Sequence, residues 1–316
     1  MLKEVKIIDM EKTGTVDKNI FILGDSVAEL KKMPSRSVDL IILDPPYWKV
    51  ISEKWDYQWR TKSDYAKWAE EWINEVGRVV KLSGSVFIFG YLRNLIYLYP
   101  MFGEAGFEFK QEIIVDKGKR SLGGRATKGY KSFPNVTETI WHFHFDSKPY
   151  IKKFLKKRQK ELGLSSLQIN TALGVKINGG GVWSLYTGNN ILAQVPTKEM
   201  WRRLEQVLDF KMPYENIGKV FNIELGVTNV WTDIDFYKEK RIHSTQKPVK
   251  LIERLIKATT NEGATVLDPF AGSGATCIAC LNSNRSYYAV ELDEDYFKKA
   301  TTRISNHKPV LKLPLD

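Results

Sequence analysis

Apolar positions along the chain fall into two stretches of alternating strand-like and helix-like pattern, separated by a stretch with neither. In the first, about residues 19–146, Asn19–Leu23, Val38–Leu43 and Ser85–Phe89 are short, nearly continuous apolar runs. Runs without alternating polar positions predict strands buried on both faces, as in a parallel sheet. Ser26–Lys32 predicts a helix capped by Ser26, and Tyr65–Lys81 carries Tyr65, Trp68, Trp72, Val76 and Val79 at helical spacing. Phe107–Val115 and Val136–Phe145 are longer and more alternating, which predicts an antiparallel pair closing a sheet edge. The last stretch, about residues 243–304, predicts a helix over Pro248–Thr259, a strand from Thr265 and a glycine turn. A helix to about Asn282, a strand over Ser286–Val290 and a helix over Asp295–Ile304 complete it. Such alternation predicts an α/β sheet with seven candidate strands.

The middle block, residues 147–242, breaks this rhythm and reads as an inserted, mainly helical domain between an N-terminal unit, 1–146, and a C-terminal one, 243–316. Lys152-Lys153-Phe154-Leu155-Lys156-Lys157-Arg158-Gln159-Lys160 opens it, and Lys198–Leu208 predicts a helix. A short helix ending at Gly163 and a second beginning near Ser165 or Ser166 resemble a helix-turn-helix unit, with an unrelated helical hairpin as the alternative.

Charge sharpens that reading. The chain has 316 residues and a formal charge of +11. Residues 147–226 hold 13 Lys/Arg and 6 Asp/Glu, so most of the excess lies in the block that interrupts the α/β pattern. A polyanionic partner is expected there. Lys117, Lys119, Arg120, Arg125, Lys128 and Lys131 form a second basic stretch. No apolar run approaches the roughly 20 residues that cross a bilayer, and the first residues lack the apolar core of a signal peptide. Two cysteines, Cys277 and Cys280, exclude a disulfide framework. A cytoplasmic protein without membrane association is expected. Cys-x-x-Cys without a second ligand pair predicts small buried side chains rather than a metal site.

Two strand ends carry the candidate chemistry. Thr265–Thr276 reads TVLDPFAGSGAT, with Gly272 and Gly274 where a backbone can approach a ligand at a helix N-terminus. It lacks the third glycine of a dinucleotide fingerprint and the Lys-Ser/Thr of a phosphate loop. Glu291 ends the next strand, where an acid can accept both hydroxyls of a ribose. An adenosine-type ligand without a polyphosphate fits, and S-adenosylmethionine meets that description. Asp44-Pro45-Pro46-Tyr47 ends another buried strand. A carboxylate, carbonyls on a rigid turn and an aromatic face can receive an amino group and the ring that bears it.

Asp44–Tyr47 together with Asp268–Gly274 resembles the S-adenosylmethionine-dependent DNA amino-methyltransferases. The catalytic motif precedes the cofactor motif, as in their circularly permuted β class. Gly24-Asp25-Ser26 resembles the family's segment near the cofactor adenine. Ser244–Pro248, with Thr245 and Lys247, resembles the T-x-K-P segment beside the cofactor's methionine end. The resemblance covers both α/β stretches and leaves the middle block undefined. It implies a Rossmann-like seven-stranded sheet, a catalytic set of Asp44, Pro45, Pro46 and Tyr47, and a cofactor set of Asp25, Thr245, Lys247, Asp268, Phe270, Gly272, Ser273, Gly274 and Glu291. No metal is implied.

The implied substrate is double-stranded DNA with the target base flipped out. Tyr47 is then expected to stack on that base, and Trp48, Trp55, Tyr57 and Trp59 to wall the pocket or to pack as ordinary core. Lys152, Lys153, Lys156, Lys157, Arg158, Arg120 and Arg125 are candidates for phosphate, and Ser165, Ser166, Gln168 and Asn170 for base edges. An Asp at the first motif position resembles adenine-N6 enzymes more than the Ser of many cytosine-N4 enzymes. Cytosine N4 remains the alternative, as do RNA as substrate and a regulator with an inactive methyltransferase fold. Methylation of ring C5 needs a cysteine nucleophile, and neither cysteine lies near the Asp44 turn. A homodimer and a cognate restriction endonuclease are possible partners by resemblance.

Overall fold

The computed structural model describes residues 14–48, 57–122, 131, 133–175, 181–188, 192–222 and 224–308. Arg125, Lys128 and Trp55 lie outside these residues. An eight-stranded mixed sheet forms the centre, in the order β1-β8-β7-β2-β3-β5-β4-β6. Its strands are β1 (Ile20–Leu23), β2 (Val38–Leu43), β3 (Val80–Gly90), β4 (Phe107–Asp116), β5 (Thr137–Phe145), β6 (Val230–Trp231), β7 (Thr265–Asp268) and β8 (Ser286–Glu291). The seven expected strands all form. The eighth, β6, is two residues of the middle block laid parallel on β4. Strands β1, β8, β7, β2 and β3 are mutually parallel, whereas β5 runs antiparallel to both β3 and β4.

Helices cover both faces, because β2 is apolar on both sides and must be buried on both. One face carries α1 (Ser26–Lys32), α2 (Lys62–Val79) and α3 (Leu92–Glu104), with Leu30, Trp72, Val76 and Phe102 in its core. The other carries α8 (Val249–Thr259) and α9 (Ala275–Asn282), which bury Leu251, Ile252, Leu255, Ile278, Cys277 and Cys280. Each fully buried aliphatic side chain contributes about 1.5–3 kcal/mol. The last helix, α10 (Glu294–Ser305), lies by the β1–β8 edge, where Phe297 meets Phe21 at 4.7 Å. The sequence predicts Ser26 as the cap of α1. The structure puts Asp25 there, accepting from the Ala28 amide at 2.9 Å, while the Ser26 hydroxyl donates to the Pro269 carbonyl at 2.6 Å.

The middle block contains α4 (Lys148–Glu161), α5 (Ser166–Ala172), α6 (Gly181–Thr187) and α7 (Lys198–Val207). Ile151, Leu155, Ile169, Trp183, Trp201 and Leu208 are buried in a core continuous with the α1–α2–α3 side of the sheet. From Lys219 onward the chain rejoins the sheet body. Lys219 donates to the carbonyls of Leu82 and Phe145, and the Asn222 amide donates to Ala258.

Two histidines on β5 make stability depend on acid. Neither ring nitrogen of the buried His142 meets a hydrogen-bond partner among the described residues, and its ring stacks on Phe87 at 4.4 Å. Burial, aided by His144, lowers His142 to about 3. Burial, aided by Lys219, does the same to His144. An unfolded imidazole takes its proton near pH 6.5, while the folded pair resists until about 3. Protons therefore favour the unfolded chain throughout that window. Stability should fall on acidification by up to about 1.4 kcal/mol per pH unit for each histidine. Urea unfolding at pH 7 and pH 5 checks this, and His142→Phe should remove part of the slope.

Candidate active site

Four neighbouring parallel strands, β1, β8, β7 and β2, end on the same rim of the sheet. Each delivers an acid there: Asp25 just after β1, Glu291 at the end of β8, Asp268 at the end of β7 and Asp44 just after β2. Strand ends of an open α/β sheet are where ligands bind. A cavity of about 320 Å³ lies across this rim, lined by all four acids, Asp293, Phe270, Gly272, His243 and Lys247. It takes in the Asp44 turn and the glycine turn together. Five carboxylates against one lysine suit a ligand that carries positive charge.

The glycine turn is built for close approach. Gly272 has φ 49 and its amide donates to Glu291 Oε2 at 2.7 Å, while the Asp293 amide donates to Oε1 at 2.8 Å. A Cβ on Gly272 would face the cavity, 3.7 Å from the His243 ring. Gly274 differs from the expectation that it makes room for a ligand. Its φ of 69, left-handed at the start of α9, favours glycine there, and a Cβ would point toward Ile304 of α10 at 2.9 Å. The Ser273 hydroxyl and carbonyl receive hydrogen bonds from Arg303. Asp268 is buried and accepts from the Phe270 amide at 3.0 Å and from the Thr276 hydroxyl. Burial pushes its carboxyl up to about 7 against those two bonds. Burial likewise raises Glu291.

Asp44–Tyr47 is held from two sides. The Tyr65 hydroxyl of α2 donates to the Pro46 carbonyl at 3.0 Å, and the Asn94 amide of α3 donates to the Tyr47 carbonyl. Trp48 follows at φ 55, a left-handed conformation that bulky residues rarely adopt. Such strain concentrates at functional sites. Its indole donates to the Trp59 carbonyl at 3.2 Å. Trp59 itself is buried against Tyr65 and Trp68, as core packing predicts, whereas Tyr57 is exposed.

The most informative contacts join parts of the chain about 200 residues apart. Lys247 Nζ donates to Asp44 Oδ1 at 2.9 Å and Oδ2 at 2.7 Å, and lies 3.0 Å from the Tyr47 hydroxyl. The Tyr47 hydroxyl is 2.6 Å from Asp44 Oδ1 and 3.3 Å from Glu138 Oε1. Glu138, second residue of β5, is 3.7 Å from Lys247 and 3.1 Å from Lys117. Because β5 runs against the parallel strands, its first residues reach the same rim. Burial lowers Lys247, and Asp44 followed by Glu138 outweighs it, so the ammonium is held above the ordinary lysine value. Burial raises Glu138, and Lys247 with Lys117 brings it below the ordinary carboxylate value. Burial and Asp44 push Tyr47 well up, so it stays a neutral phenol.

This arrangement moves several sequence expectations. Lys247 sits on the carboxylate of the Asp44 turn as well as in the cavity. Tyr47 is 6% exposed and turned into the polar network, rather than standing clear as a stacking face. Lys117 pairs with Glu138 instead of projecting outward. Asn94 and Glu138 carry no motif signal. In sequence Glu138 shows only as the one acid of the alternating run Val136–Phe145. Thr245 lines the cavity, with its amide and hydroxyl on His243 Nδ1.

Among the residues expected at DNA, the structure separates surface from scaffold. Lys153, Lys156 and Lys157 are exposed on α4 and Lys152 is half-buried. Arg158 is scaffold, with its guanidinium donating to the Leu208 and Asp209 carbonyls at the end of α7. Asn170 is also scaffold, 2% exposed and accepting from the Trp183 amide at 3.0 Å. Ser165 and Gln168 cap α5 reciprocally, and Ser166 accepts from Gln159. Arg120 lies over the Tyr237 ring. Among the described residues no group of three His, Cys, Asp or Glu side chains is placed to hold a metal, and no helix is long and apolar enough to cross a membrane.

An α/β sheet with a carboxylate-rich cavity across its strand ends has the layout of a ligand-binding α/β fold. Residues 38–302 match the family model described as DNA methylase, and the chain belongs to this N6/N4 DNA methylase family. It is 29% identical over 295 residues to the DNA adenine methyltransferase YhdJ of Escherichia coli K12, covering 90% of this chain and 81% of that protein. It is 26% identical over 293 residues to the type II methyltransferase M.HpaI of Haemophilus parainfluenzae, covering 90% and 74%. The fold is shared with the M1.HpyAVI–SAM complex, at TM-score 0.55 and 21% identity over 90% of this chain and 98% of that one. It is also shared with the cytosine-N4-specific PvuII DNA methyltransferase, at TM-score 0.57 and 15% identity over 94% and 91%.

Proposed function

We propose that this DNA methylase transfers a methyl group from S-adenosylmethionine to the N6 amino group of adenine in duplex DNA. The observation that carries the reading is that the Asp44 turn and the Gly272–Glu291 cradle share one cavity. The residues present fit that cofactor. About 320 Å³ is within the range of ligand sites. Glu291 is a ribose-hydroxyl acceptor, Gly272 leaves room beside it, and Phe270 with Asp25 lines the cavity near both. The surplus of carboxylates matches a net positive sulfonium ligand. When bound, S-adenosylmethionine supplies an electrophilic methyl carbon.

The chain's own residues supply position and charge. Asp44 and the Pro45 carbonyl accept the amino hydrogens of the target, which localises its lone pair and aims it at the methyl carbon. Positive charge develops on the amino nitrogen, and the Asp44 carboxylate stabilises it. Pro46 and the Tyr47 backbone hold that geometry through Tyr65 and Asn94. Adenine is favoured over cytosine by the carboxylate at position 44 and by the relative named as an adenine methyltransferase.

In this proposal the helical block of the middle region grips the duplex, with Lys152, Lys153, Lys156 and Lys157 on phosphates and Ser166 on the α5 surface near base edges. A homodimer and a cognate restriction endonuclease are part of the proposal, supported by the family resemblance. The Lys153→Ala/Lys156→Ala variant should weaken DNA binding alike on all sequences. It should also flatten the slope of log K against log salt by about 1 to 2, since each phosphate contact contributes roughly 0.9. Fluorescence anisotropy across a salt series reads this directly. The enzyme reading is tested by transfer of a labelled methyl group from S-adenosylmethionine to duplex DNA of mixed sequence. Tight DNA binding without transfer would favour a regulator with an inactive fold.

A further inference from the structure

The network around Lys247 poses a problem for the reaction just described. Both oxygens of Asp44 receive the Lys247 ammonium, at 2.9 and 2.7 Å. An ammonium in that place competes with the target amino group for the carboxylate. It also opposes the positive charge that the amino nitrogen acquires. Yet Lys247 cannot simply leave, because a buried cation without a partner is strongly disfavoured.

A second seat exists one short step away. Glu138 Oε1 lies 3.7 Å from Lys247 Nζ, just beyond hydrogen-bond range, and the Tyr47 hydroxyl stands between the two carboxylates. Lys117 holds the other Glu138 oxygen and fixes the carboxylate in place. The four side chains are 6–21% exposed. Their charges balance, with Asp44 and Glu138 against Lys247 and Lys117. Lysine's flexible stem lets its head move by about an ångström at little cost. After such a move, only Asp44 lacks its cation, and the developing charge on the amino nitrogen supplies one.

We propose that Glu138 is a positioning residue for methyl transfer: it takes the Lys247 ammonium from Asp44 as the target amino group arrives, with the Tyr47 hydroxyl bridging the exchange. This rests on the reading of Asp44 as the acceptor of the target amino group. Glu138 touches neither the target nor the transferred methyl in this scheme. Its effect passes through Lys247.

The test uses three variants of the full chain: Glu138→Gln, Lys247→Gln and the double variant. Single-turnover transfer to duplex DNA is measured alongside S-adenosylmethionine affinity. In Glu138→Gln the ammonium has no second seat and stays on Asp44. Its transfer rate should fall roughly 10- to 100-fold, with cofactor affinity within about twofold of wild type and the loss in kcat rather than in KM for DNA. Adding Lys247→Gln removes the trapped cation, so the double variant should transfer faster than Glu138→Gln alone. A merely structural role for Glu138 gives the reverse order.

Glu138→Asp supplies a readout that stands even if Glu138→Gln folds poorly. It keeps a carboxylate on the Lys247 side of the Tyr47 hydroxyl, so its transfer rate should lie between those of Glu138→Gln and wild type. Wild-type rates in Glu138→Gln, a double variant slower than it, or a Glu138→Asp rate no higher than that of Glu138→Gln would each overturn the proposal. A wild type that transfers no methyl group would instead overturn the functional reading on which it rests.

Discussion

Asp44→Ala lowers methyl transfer by roughly 10²–10³-fold or more while leaving S-adenosylmethionine affinity within about twofold, the scale seen when one preorganised electrostatic group is removed from a reacting centre. The side chain stands at the end of β2, beyond the buried run Leu40–Leu43, so its loss does not open the core. Nor does it strand a cation, because Lys247 still has Glu138 at 3.7 Å and the Tyr47 hydroxyl at 3.0 Å. The fold and the cofactor cradle should therefore survive. What disappears is the acceptor that localises the amino lone pair and the negative charge that meets the developing cation. Asp44→Asn keeps one acceptor oxygen and should lie between wild type and alanine. Single-turnover rates and calorimetric affinities on the same preparations make the check. A fall in cofactor affinity matching the fall in rate would assign Asp44 to cofactor binding instead.

Glu291→Ala has the opposite profile. Cofactor dissociation constants should rise about 10- to 100-fold, since hydrogen bonds to a charged group contribute about 1.5–3 kcal/mol. Part of the loss is indirect. Glu291 accepts from the Gly272 and Asp293 amides, so it shapes the glycine turn and ties it to the segment leading into α10. Near-normal turnover should return at saturating cofactor, because Glu291 ends β8, with β7 between it and the β2 strand that carries Asp44. Titration calorimetry combined with rates at rising cofactor concentration separates the two. Unchanged affinity with reduced saturated turnover would contradict the assignment.

The features legible in the sequence share a local cause. Strand β2 and α1 appear at their predicted limits because a continuous apolar run and a short run of helix formers each need only their own neighbours. The Asp44 and Gly272 turns were legible for the same reason: proline and glycine constrain the backbone wherever they fall. What stayed hidden depends on distant pairing. Lys247 and Asp44 are 203 residues apart, and nothing local says that an ammonium from the segment before α8 reaches the end of β2. Glu138 becomes meaningful only when β5 is known to run antiparallel beside β3. Arg158 and Asn170 carry the residue types of DNA contacts, yet tertiary packing turns them onto backbone groups of α7 and α6. Gly274 is legible as part of a ligand-approaching turn, but its left-handed φ of 69 and its place against Ile304 of α10 depend on the folded chain. The helix α3 has exposed Leu92, Ile96, Tyr97 and Tyr99, which blurs the apolar face that marks a helix in sequence.

If the Asp44 turn presents the amino group of adenine to the methyl donor, the identity of the methylated nucleoside shows it most directly. Duplex DNA of mixed sequence is incubated with the protein and labelled S-adenosylmethionine, digested to nucleosides and separated by mass-resolved chromatography. The label is expected in N6-methyladenine. Label in N4-methylcytosine would contradict the choice of base, and label in 5-methylcytosine would contradict the chemistry assigned to Asp44 altogether.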